Sequence, residues 1–171
     1  MALTHEDLVG LLGPGNVVLA DSGELRALGV PDDARRVLSE IGMPREAAGD
    51  VAAARPRILE IPGDPDGYLL LASRTAQDFA LDLRTGEVVR FSRFEPGAYR
   101  LMVNSDLTAF VACLAMYAVV LRDIPEDCSD EEAQAWADRL EQSVREIDPV
   151  SLAVEDSFYA GVVFEISNNM F

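Results

Sequence analysis

The sequence predicts an α+β fold in which a mostly antiparallel or mixed central sheet is flanked by N-terminal and C-terminal helices. Three observations predict it. The length of 171 residues, 49% of them hydrophobic, suits one compact domain over residues 1–171, because a chain of this size buries about two-thirds of its unfolded surface. Short apolar segments at strand spacing fill residues 58–103. Apolar residues before and after that range recur at helical spacing.

A first helix is predicted near the start of the chain. Thr4-His5-Glu6-Asp7 has the pattern of a helix cap, in which an oxygen-bearing side chain is followed three residues later by an acid. Gly13-Pro14-Gly15 ends this helix at about residue 12, because these residues do not continue a helix. Residues 17–19 then predict a small strand.

A second helix is predicted to begin at Pro31-Asp32-Asp33. Its apolar residues follow the spacing of one helix face, and Gly42 and Pro44 stand where they would end it. Residues 47–54 are small and lack a periodic pattern. We therefore expect a linker or loop in that range.

Five short apolar segments predict the strands of an antiparallel meander, because Pro, Gly and Asp separate them. One connection, Arg84-Thr85-Gly86-Glu87, predicts a hairpin turn in which Gly86 takes a positive φ angle. The predicted strands are residues 58–61, 68–72, 79–83, 88–91 and 99–103.

Three helices are predicted after the strands. Asn104-Ser105-Asp106 predicts the cap of a helix over residues 107–121, which we expect to be the most buried one because apolar residues almost surround it. Ser129-Asp130-Glu131-Glu132 is a capping-box pattern and begins a helix that Asp148-Pro149 ends. Trp136 lies in register with the apolar face of that helix and is expected in the core. Residues 156–171 fit both a helix and a strand, and we favour a helix.

The residue inventory argues against catalysis. The chain has one histidine, His5, and all fourteen of its basic residues are Arg, so His-dependent acyl transfer, Schiff-base chemistry and a usual P-loop are improbable. Two cysteines and one histidine do not supply a zinc site. Gly63-Asp64-Pro65-Asp66-Gly67 is similar to a calcium loop, but Thr75 stands where a bidentate Glu is required, so a tight turn is expected. We expect no catalytic residue, cofactor or metal. A hydrolase with paired carboxylates is the last-ranked alternative.

The net charge and the number of cysteines indicate which partners the protein binds and in which compartment it is found. A net charge of −16 makes nucleic acid and anionic membranes poor partners. The first residues lack a basic segment followed by an apolar core, and the apolar run at 107–121 is too short to span a membrane. Cys113 and Cys128 do not form a disulfide framework, which fits a reducing cytoplasm.

The negative charge is concentrated near the C-terminal end. Residues 124–171 hold twelve acids and two arginines, whereas residues 55–103 hold seven of each. Plain solubility explains such a surface, and so does an acidic face matched to a basic protein partner. The residues expected to contact that partner are Asp127, Asp130, Glu131, Asp138 and Glu141.

The order of these segments resembles the SUKH-type immunity proteins of bacterial polymorphic toxin systems, and in particular the SUKH-4-like group. The similar pieces cover nearly the whole chain. Two pieces lie in the N-terminal part: residues 11–15, which end the first helix, and residues 34–44, which end in Gly42-Met43-Pro44. The others are the hairpin from Leu81-Asp82 to Gly86-Glu87-Val88, the helix start Val103-Asn104-Ser105-Asp106 with Phe110, and Ile147-Asp148-Pro149. Asp106 replaces a second Ser, Ala72-Ser73 replaces a Gly, and Phe158 or Tyr159 stands for a tail Trp.

The resemblance implies an α+β antitoxin that performs no catalysis. Such a protein binds a cognate toxin domain, often a nuclease or a nucleic-acid deaminase, in the cytoplasm of the producing cell. The alternative is a regulatory or scaffold module that binds an endogenous protein, as some relatives of the superfamily do. An exposed edge strand of the meander could also support pairing of two copies.

Overall fold

The structure, a computed structural model, describes residues 3–47, 51–61, 64–95 and 99–170, with only the backbone for residues 64–66. Helices cover one face of a seven-stranded sheet, and a separate two-stranded sheet lies near the N-terminus. The α+β prediction with a mostly antiparallel sheet is confirmed, since every strand pairing is antiparallel among the described residues.

The predicted first helix is confirmed as α1, His5–Leu12, with a capping box between Thr4 and Asp7. Strand β1, Val17–Val18, follows it. Helix α2, Ser22–Ala27, was not predicted. The residue that could have indicated this helix is its N-cap, Asp21, whose Oδ1 accepts a hydrogen bond from the backbone N of Glu24 at 2.7 Å.

The second predicted helix begins as α3, Asp32–Arg36, and continues as a π-helical segment, Val37–Ile41. Gly42 ends it with φ 93°. A Cβ atom at Gly42 would meet Val17 Cγ1 and the Val18 carbonyl oxygen at 2.7 Å, so the close approach of β1 requires a residue without a side chain. Strand β2, Met43–Pro44, then pairs with β1.

The expected loop over residues 47–54 is wrong where the structure describes it. Glu46–Ala47 forms β3 and Val51–Ala53 forms β4, while residues 48–50 lie outside the described residues. Small side chains give no strand pattern, but the backbone of β4 completes its hydrogen bonds against a longer strand, and Ala47 and Val51 are 1% exposed. Tertiary pairing therefore overrides weak local propensity.

The predicted meander is confirmed. The seven-stranded sheet has the order β3-β4-β6-β7-β8-β9, with β5 also paired to β6. Residues 64–67, expected in a turn, instead begin β6, and Gly63 lies outside the described residues. The register between β5 and β6 is irregular there. Pro65, the second residue of β6, is tolerated near a strand start because proline donates no hydrogen bond to the neighbouring strand. The strands are β5 Ile58–Ile61, β6 Asp64–Arg74, β7 Gln77–Asp82, β8 Val88–Ser92 and β9 Arg100–Asn104.

The turn between β7 and β8 is organised by Asp82. Gly86 takes a positive φ of 79°, as predicted. The carboxylate of Asp82 accepts hydrogen bonds from the backbone N atoms of Arg84 and Thr85 and from Nη2 of Arg100 at 2.7 Å. Burial disfavours ionisation of Asp82, but these hydrogen bonds outweigh it and hold the pKa of the carboxyl below its ordinary value.

The C-terminal helices pack against one another and the sheet. Helix α4, Leu107–Asp123, is the most buried, as predicted, with ten buried residues. Helices α5, Asp130–Ile147, and α7, Phe158–Ser167, confirm the remaining helix predictions, and the short α6, Val150–Ala153, was not predicted. Within the described ranges, no helix has both the length and the apolar character needed to cross a bilayer.

Two arginines of the sheet hold α7 in place. Arg74 pairs with Glu165 at 3.2 Å, and Arg90 donates to the carbonyl oxygen of Asp156 at 2.6 Å. Both guanidinium groups lie about 6 Å from the ring centre of Phe158. Helix α7 is thereby held over the sheet by ionic and cation–π contacts together.

A buried polar network joins the sheet to the C-terminal helices. Asn104 Nδ2 donates to the carboxyl group of Asp148 at 2.9 Å, and the backbone N of Ser105 donates to the same oxygen at 2.8 Å. Tyr159 donates its hydroxyl to Asn104 Oδ1 at 3.0 Å. Asn104, Asp148 and Tyr159 are at most 2% exposed. Of the predicted cap Asn104-Ser105-Asp106, only Asp106 caps α4, because the side chain of Asn104 points into this network.

Asn104→Ala should lower the free energy of unfolding by about 3 kcal/mol, because the buried Tyr159 hydroxyl loses its acceptor and the buried Asp148 carboxyl loses one of its two donors. Ser105→Ala is the matched control and should change stability by less than about 0.5 kcal/mol, since Ser105 contributes only its backbone N to the network. Urea denaturation measures both. Equal stability of the two variants would contradict the role of the network.

Candidate partner-binding surface

Helix α5 brings most of the predicted contact residues together. Ser129 caps the helix through a capping box with Glu132, and Ala133, Ala137, Leu140 and Val144 are completely buried on one side. The rest of the helix surface faces solvent. It presents the residues that we call the acidic face: Asp130, Glu131, Asp138 and Glu141.

The predicted residues differ in exposure. Asp130, Glu131 and Asp138 are exposed, and Glu141 is half-buried. Successive residues of a helix are turned by about 100°, so Asp130, Glu141 and Asp138 lie within about 80° of one another and Glu131 lies beside Asp138. Asp127 is exposed too, but it lies in the turn before α5 and not on the helix itself.

Neighbouring side chains hold these carboxylates in place. Asp138 Oδ1 accepts a hydrogen bond from Gln134 Nε2 at 2.7 Å, and Asp130 Oδ1 accepts one from Asn169 Nδ2 at 2.8 Å. Glu141 forms an ion pair with Arg145 one turn later. Helix α5 has six acids against two arginines, so its field stays negative despite this pairing.

Beside the acidic face lies an apolar groove that the sequence did not predict. We call it the α7 groove. It has a volume of about 390 Å³. Glu141 and Arg145 form its side on α5, and Leu152, Ala160 and Val163 line the side formed by α6 and α7.

Phe164 extends the apolar surface along α7. It lies one turn after Ala160 and is 62% exposed. The signal for this surface was the composition of α7, where Glu165 is the one charged residue of ten. One buried face does not account for so many apolar side chains, so some must remain exposed.

The arrangement is typical of a protein-binding surface. Interfaces commonly combine apolar and aromatic side chains at the centre with charged groups at the rim. Here the α7 groove and Phe164 supply the apolar part, and the acidic face supplies charge on one side. Such a surface fits a partner with a basic rim around an apolar patch.

The chemistry of the described residues offers little to a catalytic interpretation. His5 Nδ1 lies 2.9 Å from the carbonyl oxygen of Ile41, which occupies that ring nitrogen. Burial raises the pKa of the Cys113 thiol to about 12, so the thiol is unreactive. In the described ranges, no group of three or more potential ligands could hold a metal ion.

The hydrolase alternative can be compared with the carboxyl groups whose pKa is shifted. Paired-carboxylate hydrolysis needs an acid with a raised pKa. Among the described residues, the carboxyl groups whose pKa departs from its ordinary value all have it lowered: Asp7, Asp82, Asp123 and Glu132.

Trp136, expected in the core, is half-buried and lies at the margin of the core. It packs against the main apolar cluster, and the guanidinium of Arg139 lies 5.1 Å from its ring centre. This contact covers the outer side of the ring. The residue therefore contributes to packing, as predicted, rather than standing free as a binding aromatic.

A comparison with protein families identifies a match over nearly the whole chain. The family model described as SUKH-4 immunity protein matches residues 3–165. No curated protein and no solved structure matches the chain. The resemblance seen in the sequence is confirmed, and the match includes α5 and most of α7.

Phe164→Ala should change the free energy of unfolding by less than about 0.5 kcal/mol, because the side chain is largely exposed. Phe158→Ala, on the same helix, should lower the free energy of unfolding by about 3 to 5 kcal/mol. Phe158 is 3% exposed, and the centre of its ring lies 5.1 Å from the centre of the Phe79 ring. Thermal and urea denaturation compare the two. A large loss for Phe164→Ala would show that its ring is covered within the protein.

Proposed function

The chain belongs to the SUKH-4 immunity protein family, and we propose that its acidic face and α7 groove bind and neutralise a basic toxin domain. Family membership supports the immunity role and implies a cognate toxin as partner. The observation that carries the choice of surface is the group of exposed and half-buried carboxylates on α5 beside an apolar groove.

The charge of the surface favours a toxin that acts on nucleic acid. A nuclease or a nucleic-acid deaminase needs a basic groove to accept phosphates. The carboxylates of Asp138 and Glu141 can bind in that basic groove in place of phosphates, and so block access of the substrate. The proposed action is stoichiometric binding without catalysis, in the cytoplasm where such a toxin meets nucleic acid.

We also propose that residues 1–171 act as one domain. The larger of two clusters of buried apolar side chains runs from Leu8 in α1 to Ile166 in α7. The acidic face therefore rests on the same core as the sheet. A rigid support of this kind keeps an interface preorganised and reduces the entropy lost on binding.

Co-expression tests the immunity role. The toxin domain encoded beside this gene should stop growth when expressed alone, and the unaltered protein should restore growth and co-purify with it. Loss of protection together with absence of a complex would contradict the proposal, and would favour the regulatory alternative.

The double variant Asp138→Arg/Glu141→Arg should slow association with the toxin domain by about tenfold or more at low salt and weaken the salt dependence of the rate. Dissociation should change less. Stopped-flow mixing with a catalytically inactive toxin domain measures these rates.

A matched control reverses two acids elsewhere. Asp33 in α3 and Glu60 in β5 are exposed and lie outside the acidic face. Asp33→Arg/Glu60→Arg changes net charge equally and should retain most of the association rate. Equal slowing by both double variants would show that only overall charge matters, and unchanged kinetics for Asp138→Arg/Glu141→Arg would exclude the acidic face.

A further inference from the structure

A second and larger groove lies elsewhere around α5. We call it the α1 groove. It has a volume of about 880 Å³ and runs between α1, the N-terminal half of α4 and the C-terminal end of α5. Glu146, which lines it, follows Glu141 by five residues and so lies about 140° around the helix. The α1 groove and the α7 groove therefore lie on different sides of α5.

The floor of the α1 groove is apolar. Leu3, Leu11, Ala112 and Ile147 contribute to it, and Leu11 and Ile147 are each 37% exposed. These are large apolar side chains that the core leaves accessible. Partly exposed leucine and isoleucine side chains that meet in one groove are a ready contact for an apolar partner.

The rim of the α1 groove is acidic. Glu6, Asp7, Asp106 and Glu146 line it, and none of the lining residues that the structure describes is basic. The nearby Arg122 is engaged, since it donates to the Leu11 carbonyl oxygen at 2.8 Å and pairs with Asp123. The groove thus combines an apolar floor with an acidic rim that holds no basic side chain among the described lining residues.

Helix capping accounts for only two of these acids. Asp7 accepts hydrogen bonds from Thr4 at the start of α1, and Asp106 accepts one from the Ala109 backbone N at the start of α4. The positive ends of these helices offset part of their charge. Glu146 lies in the last turn of α5, where an acid is unfavourable to the helix. Its Oε1 accepts a hydrogen bond from Gln142 Nε2 at 2.9 Å, one turn earlier, which offsets part of this cost.

We propose that the α1 groove binds a cationic amphipathic segment of the toxin. Apolar side chains of that segment contact Leu11 and Ile147, and its basic side chains pair with Glu6 and Glu146. This inference rests on the proposed function and adds a second contact to it. Charge complementarity selects this occupant. A second copy of the chain has a net charge of −16 and would be repelled by the same rim.

Gly10 offers a direct test. It lines the α1 groove within α1, and a Cβ atom added there meets nothing within 4 Å. Gly10→Arg places bulk and positive charge in the groove without disturbing the core. Gly10→Ala is the matched control, since it adds one methyl group and favours the helix. Circular dichroism and thermal melting verify that both variants fold.

Calorimetric titration with the catalytically inactive toxin domain gives the result. Gly10→Arg should weaken binding by about tenfold or more, whereas Gly10→Ala should stay within about twofold of the unaltered protein. Glu6→Gln/Glu146→Gln should also weaken binding and reduce its salt dependence, compared with Asp33→Asn/Glu60→Gln as control.

The outcomes separate this inference from the proposed function. If the unaltered protein binds the toxin and Gly10→Arg binds it equally well, the α1 groove is excluded and the immunity role stands. If the unaltered protein does not bind the toxin, the proposed function fails and this inference fails with it. A dimer of the free protein that Gly10→Arg converts to a monomer, seen by sedimentation, would also overturn the proposal by making a second copy the occupant.

Discussion

The hydrogen bonds around Asp148 are the interaction on which the C-terminal half of the structure depends. A carboxyl group that is 2% exposed keeps its place because Asn104 and the backbone of Ser105 donate to it. Tyr159 completes the network, and burial raises the pKa of its phenol well above the ordinary value, so the hydroxyl remains a donor. One small cluster thus fixes β9, the end of α5 and α7 relative to one another.

Both proposed contact regions lie close to this cluster. Glu146 and Ile147 precede Asp148 directly and line the α1 groove, and Pro149 follows it and lines the α7 groove. A helix end held by buried hydrogen bonds has little freedom to tilt. The two grooves therefore keep a constant relation to each other, which allows one partner to contact both without reordering the protein.

Local chemistry made much of the fold predictable. The caps at Thr4, Asp106 and Ser129 and the turn at Gly86 depend on residues a few positions apart, so sequence alone placed those elements. Strand β4 pairs with the distant β6, and β3 pairs in turn with β4. Asn104 is not a cap, because its side chain binds Asp148, which lies 44 residues away in the sequence. The acids of α5 were predictable from helical spacing. The grooves were not, because each is made by helices that meet only in three dimensions.

The double use of Asp7 and Asp106 limits how this surface can evolve. Each carboxylate completes the start of a helix and also borders the α1 groove, so a replacement that suits a changed toxin would loosen the fold at the same time. Glu6, Gly10 and Glu146 have no such duty in capping. In lineages that diversify together with their toxins, we expect variation to collect at these three positions, while the two capping aspartates stay the same.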